Sequence, residues 1–421
     1  MKNVVFVSTD KYGGDHLYRA RHQRIAEIVF DKVLTTQKQK YDALLRLLKG
    51  INRDYLADNE AFETLMHDAT LRSIFSNGDL ARELLDAGLE ITGGDSFILH
   101  QRAVFETQHS DGDLNVALDF INRSLAADDE PGTWTKGKLN TKANILRHMA
   151  NRANNEVKKS HLRSDANAVL NQIRSKGARD YTLGLNIQID ELVDLLKSAS
   201  QGSLTDRAIA NKIQDIEKAL MIARSRSEAD PFVLQAEARF RTEVNQDARA
   251  LLAIKRAYEL NNTVTPIALR LARILSDGGQ LQEAVDTLSE TLSRAPSKEL
   301  RFELGKLLAE HPELKSGADA TSLLESAFDN EDNQLMPRLY LLREYWRSRR
   351  FEKYKNLQND LKALDLPRRL RISPMLIITK DGQPAIFSGK ISAKSADYAF
   401  VQPGKPQCIL ASKCNDFGQL R

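Results

Sequence analysis

The sequence predicts a mainly α fold, an α-solenoid of helical hairpins followed by a small C-terminal β domain. Three observations carry that prediction. Helix-favouring residues dominate the 421-residue chain, while aromatics make up 6% and Gly and Pro number 21 and 11, low for a β-rich protein. Amphipathic segments of helix length follow one another, separated by short polar breaks. Residues 34 apart recur in type through the middle of the chain. A chain of this length exceeds one ordinary core. The expected organisation is an N-terminal helical region at 1–92, helical repeats at 93–367 and a β domain at 368–421.

The run "VVFV" close behind Met1 reads as a strand rather than a signal segment, and no apolar run reaches membrane-spanning length, so a cytoplasmic protein without membrane contact is expected. The segment "YRARHQRIAEIVFD" at 18–31 joins a basic start to Ile25, Ala26, Ile28, Val29 and Phe30, an apolar pattern read as a packing helix. Segments 79–91, 113–127 and 181–198 place apolar residues at three- and four-residue spacing. The breaks "TGGD", "DDEPGT" and "SQGSLTD" carry the residues of helix ends and turns. Strand-like alternation is nearly absent before residue 372.

The repeat register shows in pairs 34 apart: Ala238 and Ala272, Ala250 and Ala284, Ile254 and Leu288, Ala257 and Thr291, with Leu220 and Ala223 extending the last two series upstream. Small residues at two fixed positions let paired helices approach, and larger apolar ones fill the gap to the next unit. Residues 266–296 resemble the tetratricopeptide motif nearly position for position. Leu271, Ala272 and Leu275 match its first helix, Gly279 and Leu281 its turn, Ala284 and Leu288 its second helix, and Pro296 its stop. Neighbouring units are degenerate. The unit from Leu300 fits with Leu304, Gly305, Ala320 and Ala327 if its turn is about three residues longer, and the unit from Arg338 replaces small residues with Leu342 and Tyr354. Near the C-terminus, residues 387–403 resemble the start of a cold-shock-type OB fold, with Gly389 and Ile391 matching its first strand and Tyr398, Phe400 and Val401 its second.

Catalytic motifs are missing from the chain. There is no phosphate-binding Gly-x-x-x-x-Gly-Lys-Ser/Thr, no Gly-x-Ser-x-Gly, and no His pair spaced for a metal on a helix, so no cofactor and no enzyme are expected. Cys408 and Cys414 have neither zinc-knuckle nor redox spacing. The net charge of +4 is uneven. From residue 343 onward 16 Lys and Arg face 7 Asp and Glu, a balance of +9, which leaves −5 for residues 1–342. One repeat position that faces the groove in tetratricopeptide arrays holds Arg239, Arg273, Lys306 and Arg343, a column of cations suited to an acidic peptide or a phosphate backbone. Solvated surface charge is the bland account of the same residues. A second candidate lies at 341–355, where Tyr345, Trp346, Phe351 and Tyr354 alternate with Arg347, Arg349 and Arg350. With Lys390, Tyr398 and Phe400 they supply the stacking faces and cations of a nucleic-acid contact, although packing competes for the aromatics.

Arg19, Arg21, His22, Ile25, Ala26 and Glu27 resemble the Arg-x-Arg-His and Ile-Ala-Glu segment that follows the NTPase module of STAND-type signalling ATPases in defence systems. The resemblance implies a tetratricopeptide array with an OB-like end, and it makes Arg19, Arg21 and His22 contacts to an NTPase or effector subunit. The expected function is a non-catalytic scaffold or sensor binding a protein partner with an acidic surface, within a bacterial defence or signalling NTPase assembly. The alternative is nucleic-acid binding through the basic C-terminal region.

Overall fold

The computed structural model describes residues 30–363, except residue 31 and the stretches 76–77, 110, 129–132, 174–175, 201–205, 227–228 and 328–334, together with six strands outside that span. The chain separates into two compact units, Met1–Ser175 and Lys176–Arg421.

The first unit opens with an antiparallel hairpin, β1 (Val5–Thr9) and β2 (His16–Ala20), in the register Val5↔Ala20 to Thr9↔His16. The first strand covers most of the run behind Met1 read as a strand, whereas the second covers the start of the 18–31 segment read as a packing helix. The β-branched first strand presents an edge, and pairing with that edge holds the next segment extended whatever its local preference. Arg19 therefore lies on a strand, opposite Phe6. Arg21 and His22 lie outside the described residues, as does most of the expected helix, and Phe30 is helical and packs on the core. The helices that follow are α1 (Gln37–Gly50), α2 (Leu56–Met66), α3 (Asp68–Ile74), α4 (Gly78–Thr92), α5 (Ser96–Gln108), α6 (Leu114–Ala126), α7 (Thr133–Arg152) and α8 (Glu156–Asn171). Side chains start several of them. Thr36 and Gln39 form a reciprocal capping box on α1, and Asp95 and Asp113 cap α5 and α6. Leu48, Phe62, Met66, Leu84, Ile98 and Phe105 build one core, while Ala103, Ala117, Ile121 and Ile145 pack α5, α6 and α7 together.

The second unit is an array of hairpins: α9 (Ala178–Ser200) with α10 (Asp206–Arg226), α11 (Pro231–Glu243) with α12 (Asp247–Leu260), α13 (Thr265–Asp277) with α14 (Leu281–Arg294), α15 (Lys298–Glu310) with α16 (Ala320–Ala327), and α17 (Leu335–Arg347) with α18 (Phe351–Ala363). The residues of the 34-residue register are the packing residues, since Ala238, Ala250, Ala257, Ala272, Ala284, Leu288 and Thr291 are all buried. Three hairpins turn the same way. Asn245, Gly279 and Arg349 take φ of 56°, 76° and 57°. In each, the next backbone N–H donates to a carbonyl five residues back at 2.8 Å, from Gln246 to Arg241, Gln280 to Leu275 and Arg350 to Tyr345. This left-handed closure satisfies carbonyls that the ending helix leaves open. The link between α15 and α16 runs from 311 to 319, longer than expected because α16 starts late. There a Cβ on Gly305 would stand 2.9 Å from Leu324 Cγ and 3.2 Å from Leu323 Cβ, so a bare backbone lets α15 lie on α16.

Beyond α18 four strands, β3 (Leu376–Ile378), β4 (Pro384–Ile386), β5 (Ala399–Val401) and β6 (Cys408–Leu410), pair antiparallel in the order β4-β3-β5-β6. Phe400 pairs with Ile377 and Ile409 through its backbone. Val401 pairs with Cys408 in the same way, and the remaining residues of the OB-like reading, Gly389, Lys390, Ile391 and Tyr398, lie outside the described residues. No described helix is long and apolar enough to cross a membrane.

Candidate partner-binding groove

The first helices of successive hairpins, α11, α13, α15 and α17, touch one another in turn. Residues of α11, α13, α14 and α15 line a groove of about 780 Å³, whose apolar part includes Leu269, Ala272, Leu288 and Leu307. Its basic lining residues are Arg270, Arg273 and Lys306, and its acidic ones are Asp277, Glu303 and Glu310. Charges of both signs share the lining with apolar side chains.

The four cations of the expected column differ in what surrounds them. Arg239 pairs with the buried carboxylate of Asp190 and donates to Asn186 Oδ1 at 3.0 Å, which ties α11 to α9. Lys306 sits 3.6 Å from Glu303. Arg343 is half-buried with its Nε unbonded; burial and then the Arg347 charge push it down, against Glu344, Glu310 and Tyr340. Arg273 is exposed and has no hydrogen-bond or ion-pair partner among the described residues. The groove thus brings Arg273 and Lys306 together, while Arg239 is held by its own unit.

Sequence reading missed Arg270. It stands three residues before Arg273 and so shares that face of α13. Its Nε is fully shielded and unbonded, and its guanidinium has no described partner. Burial, then the charges of Arg239 and Arg273, lower it to about 10 against the weaker opposing charge of Glu243. The signal available was the absence of any Asp or Glu three or four positions away on its helix.

The basic and aromatic stretch at 341–355 is largely consumed by packing. Tyr345 and Tyr354 lie in a core with Leu341 and Leu342, and Trp346 meets Tyr354 and Phe351 edge-on at 5.8 and 5.5 Å. The buried rings of Tyr345 and Tyr354 are closed to bases, whereas Phe351 is exposed. Arg347 donates to the Ala309 carbonyl at 2.5 Å and to Glu344 at 3.2 Å, where it also complements the C-terminal end of α15. Arg349 forms the left-handed turn, and Arg350 approaches Glu325 at 3.7 Å beside Lys353. Among the described residues no group of His, Cys, Asp or Glu is placed to hold a metal ion.

No family model matches this chain, and no curated protein does. Among solved structures it is similar to the human IFIT1 dimer with PPP-AAAA, at 13% identity and a TM-score of 0.41, over 68% of this chain and 65% of that one. It therefore spans slightly less than two thirds of that protein's length. It is also similar to yeast Tom70, at 14% identity and TM-score 0.40 over 82% of this chain and 76% of that one. A third likeness is to the APC/C hetero-tetramer Cut9-Hcn1, at 14% identity and TM-score 0.38 over 80% and 56%. These neighbours are helical-repeat proteins of tetratricopeptide type. The architecture of this chain rests on its own hairpins, turns and packing register.

Proposed function

We propose that the chain is a non-catalytic helical-repeat scaffold that binds a protein partner in the groove between α11, α13 and α15. The observation that carries this reading is a groove with an apolar lining and two arginines, Arg270 and Arg273, that form no ion pair or hydrogen bond with a carboxylate among the described residues. Such side chains lower their free energy by pairing with an anionic group on a partner. A photo-crosslinking residue at Ser276 tests it: the expected adduct forms there and is lost on Arg273→Glu. Equal adducts from the outer face at Leu252, or adducts indifferent to Arg273→Glu, would refute it.

The finer reading places the scaffold beside an NTPase or effector subunit in a defence or signalling assembly. Its support is the sequence pattern around Arg19, Arg21 and His22. Co-purification with a P-loop NTPase, abolished by the triple alanine variant of those residues, is the result it requires.

A further inference from the structure

The groove's charges are compensated unevenly, and the pattern selects a ligand. Arg239 has Asp190, and Lys306 has Glu303. Arg270 and Arg273 have no described partner, so the five N–H donors of each guanidinium are unused by the fold. Arg270 stays cationic at neutral pH despite its burial. Holding a desolvated cation beside a second one is unfavourable, and a bound anion removes that cost.

Two cations with no hydrogen-bonded counter-charge among the described residues match a dianion. A phosphomonoester carries about −1.5 to −2 charges at neutral pH and three acceptor oxygens, whereas a carboxylate brings one charge and two oxygens. The remaining lining restricts what bears the phosphate. Asp277, Glu303 and Glu310 share the groove, and Glu310 accepts a hydrogen bond from Tyr340 at 2.5 Å. A nucleic acid continuing past the arginines would bring further phosphates against these carboxylates. A peptide with one phosphate among neutral or basic residues meets charges of opposite sign both at the arginines and at the carboxylates.

We propose that Arg270 and Arg273 form a phosphate-binding subsite for a singly phosphorylated, otherwise neutral-to-basic protein segment. The inference rests on the groove being the partner-binding site.

The test uses the full chain and a fluorescent degenerate peptide library with one fixed phosphoserine, compared with the same library carrying serine. Polarisation should show the phosphoserine library binding about tenfold tighter or more. Arg270→Gln and Arg273→Gln should each erase most of that preference, and inorganic phosphate at constant ionic strength should raise the melting temperature of the parent chain but not of Arg270→Gln. Equal binding of the two libraries overturns this inference alone and leaves the scaffold reading standing. A preference that survives both substitutions overturns it as well. Phosphate stabilisation without binding of either library overturns both readings and leaves a site for free phosphate. Displacement of the library by a 5′-phosphorylated oligonucleotide at lower concentration than by phosphoserine peptide would assign the groove to nucleic acid instead.

Discussion

Arg102 in the first unit and Arg270 in the second are the same residue in the same kind of place. Each lies on a helix within an array of hairpins, and each has a shielded, unbonded Nε. Burial pulls both below the ordinary guanidinium range. Their neighbours are opposite. Arg102 has Glu106 at 3.4 Å and Asp86 at 3.7 Å. Glu106, 2% exposed, also accepts from Arg82 at 2.8 and 3.2 Å and from the Asp113 backbone at 3.2 Å. Arg270 has Arg239 and Arg273, with only the weaker charge of Glu243 against them and no ion pair among the described residues. The first cluster is closed by its own carboxylate and holds α4, α5 and the start of α6 together. The second is left open to a ligand. Cations on a helix therefore say little by themselves; the presence or absence of a buried counter-charge separates a structural cluster from a binding one.

The sharpest way to break this comparison is to open the closed cluster. Glu106→Ala removes the buried carboxylate that Arg82 and Arg102 share and should cost about 3–5 kcal/mol in denaturant unfolding, whereas a loss below about 1 kcal/mol would mean the cluster is not held by that carboxylate. Next in size is Asp190→Ala, which frees Arg239. A cost of about 2 kcal/mol is expected, together with a larger phosphate-induced rise in melting temperature, because a third guanidinium joins the open cluster. Arg270→Met should go the other way, stabilising the chain by about 1 kcal/mol, since it removes a buried charge with no described partner; marked destabilisation would show that the fold does compensate it. The smallest effect concerns pH. Burial works to raise the Asp111 carboxyl, but hydrogen bonds from Arg82 and His109 and their charges outweigh it and hold it below its ordinary value. A lowered carboxyl contributes stability above its unfolded pKa and loses it as pH falls, so Asp111→Asn should flatten the melting-temperature profile below about pH 4.

Much of the architecture is legible in the chain. Helix periodicity marks α4, α6 and α9 closely, because one buried face repeats every three or four residues regardless of what covers it. The 34-residue interval identifies Ala238, Ala250, Ala272 and Ala284, where little beyond a methyl group fits between helices, and Gly305 meets the same constraint more severely. The N-terminal hairpin is less legible, since the second strand owes its conformation to pairing rather than to its own residues. Tyr345 and Tyr354 carry an ambiguous signal: alternating aromatics and cations suit both a stacking surface and a packed terminal hairpin, and the neighbouring Leu341 and Leu342 place them in the core.

The candidate site divides the same way. Sequence alone determined that Arg239, Arg273, Lys306 and Arg343 share a repeat position, because that position follows from local periodicity. Only the tertiary structure decided which of them are free. Asp190, which pairs with Arg239, lies 49 residues away in the chain, and Arg270 stands out by what is missing around it. Helical periodicity is a short-range property, readable from neighbouring residues, whereas compensation of a buried charge depends on every group the fold brings within a few ångströms.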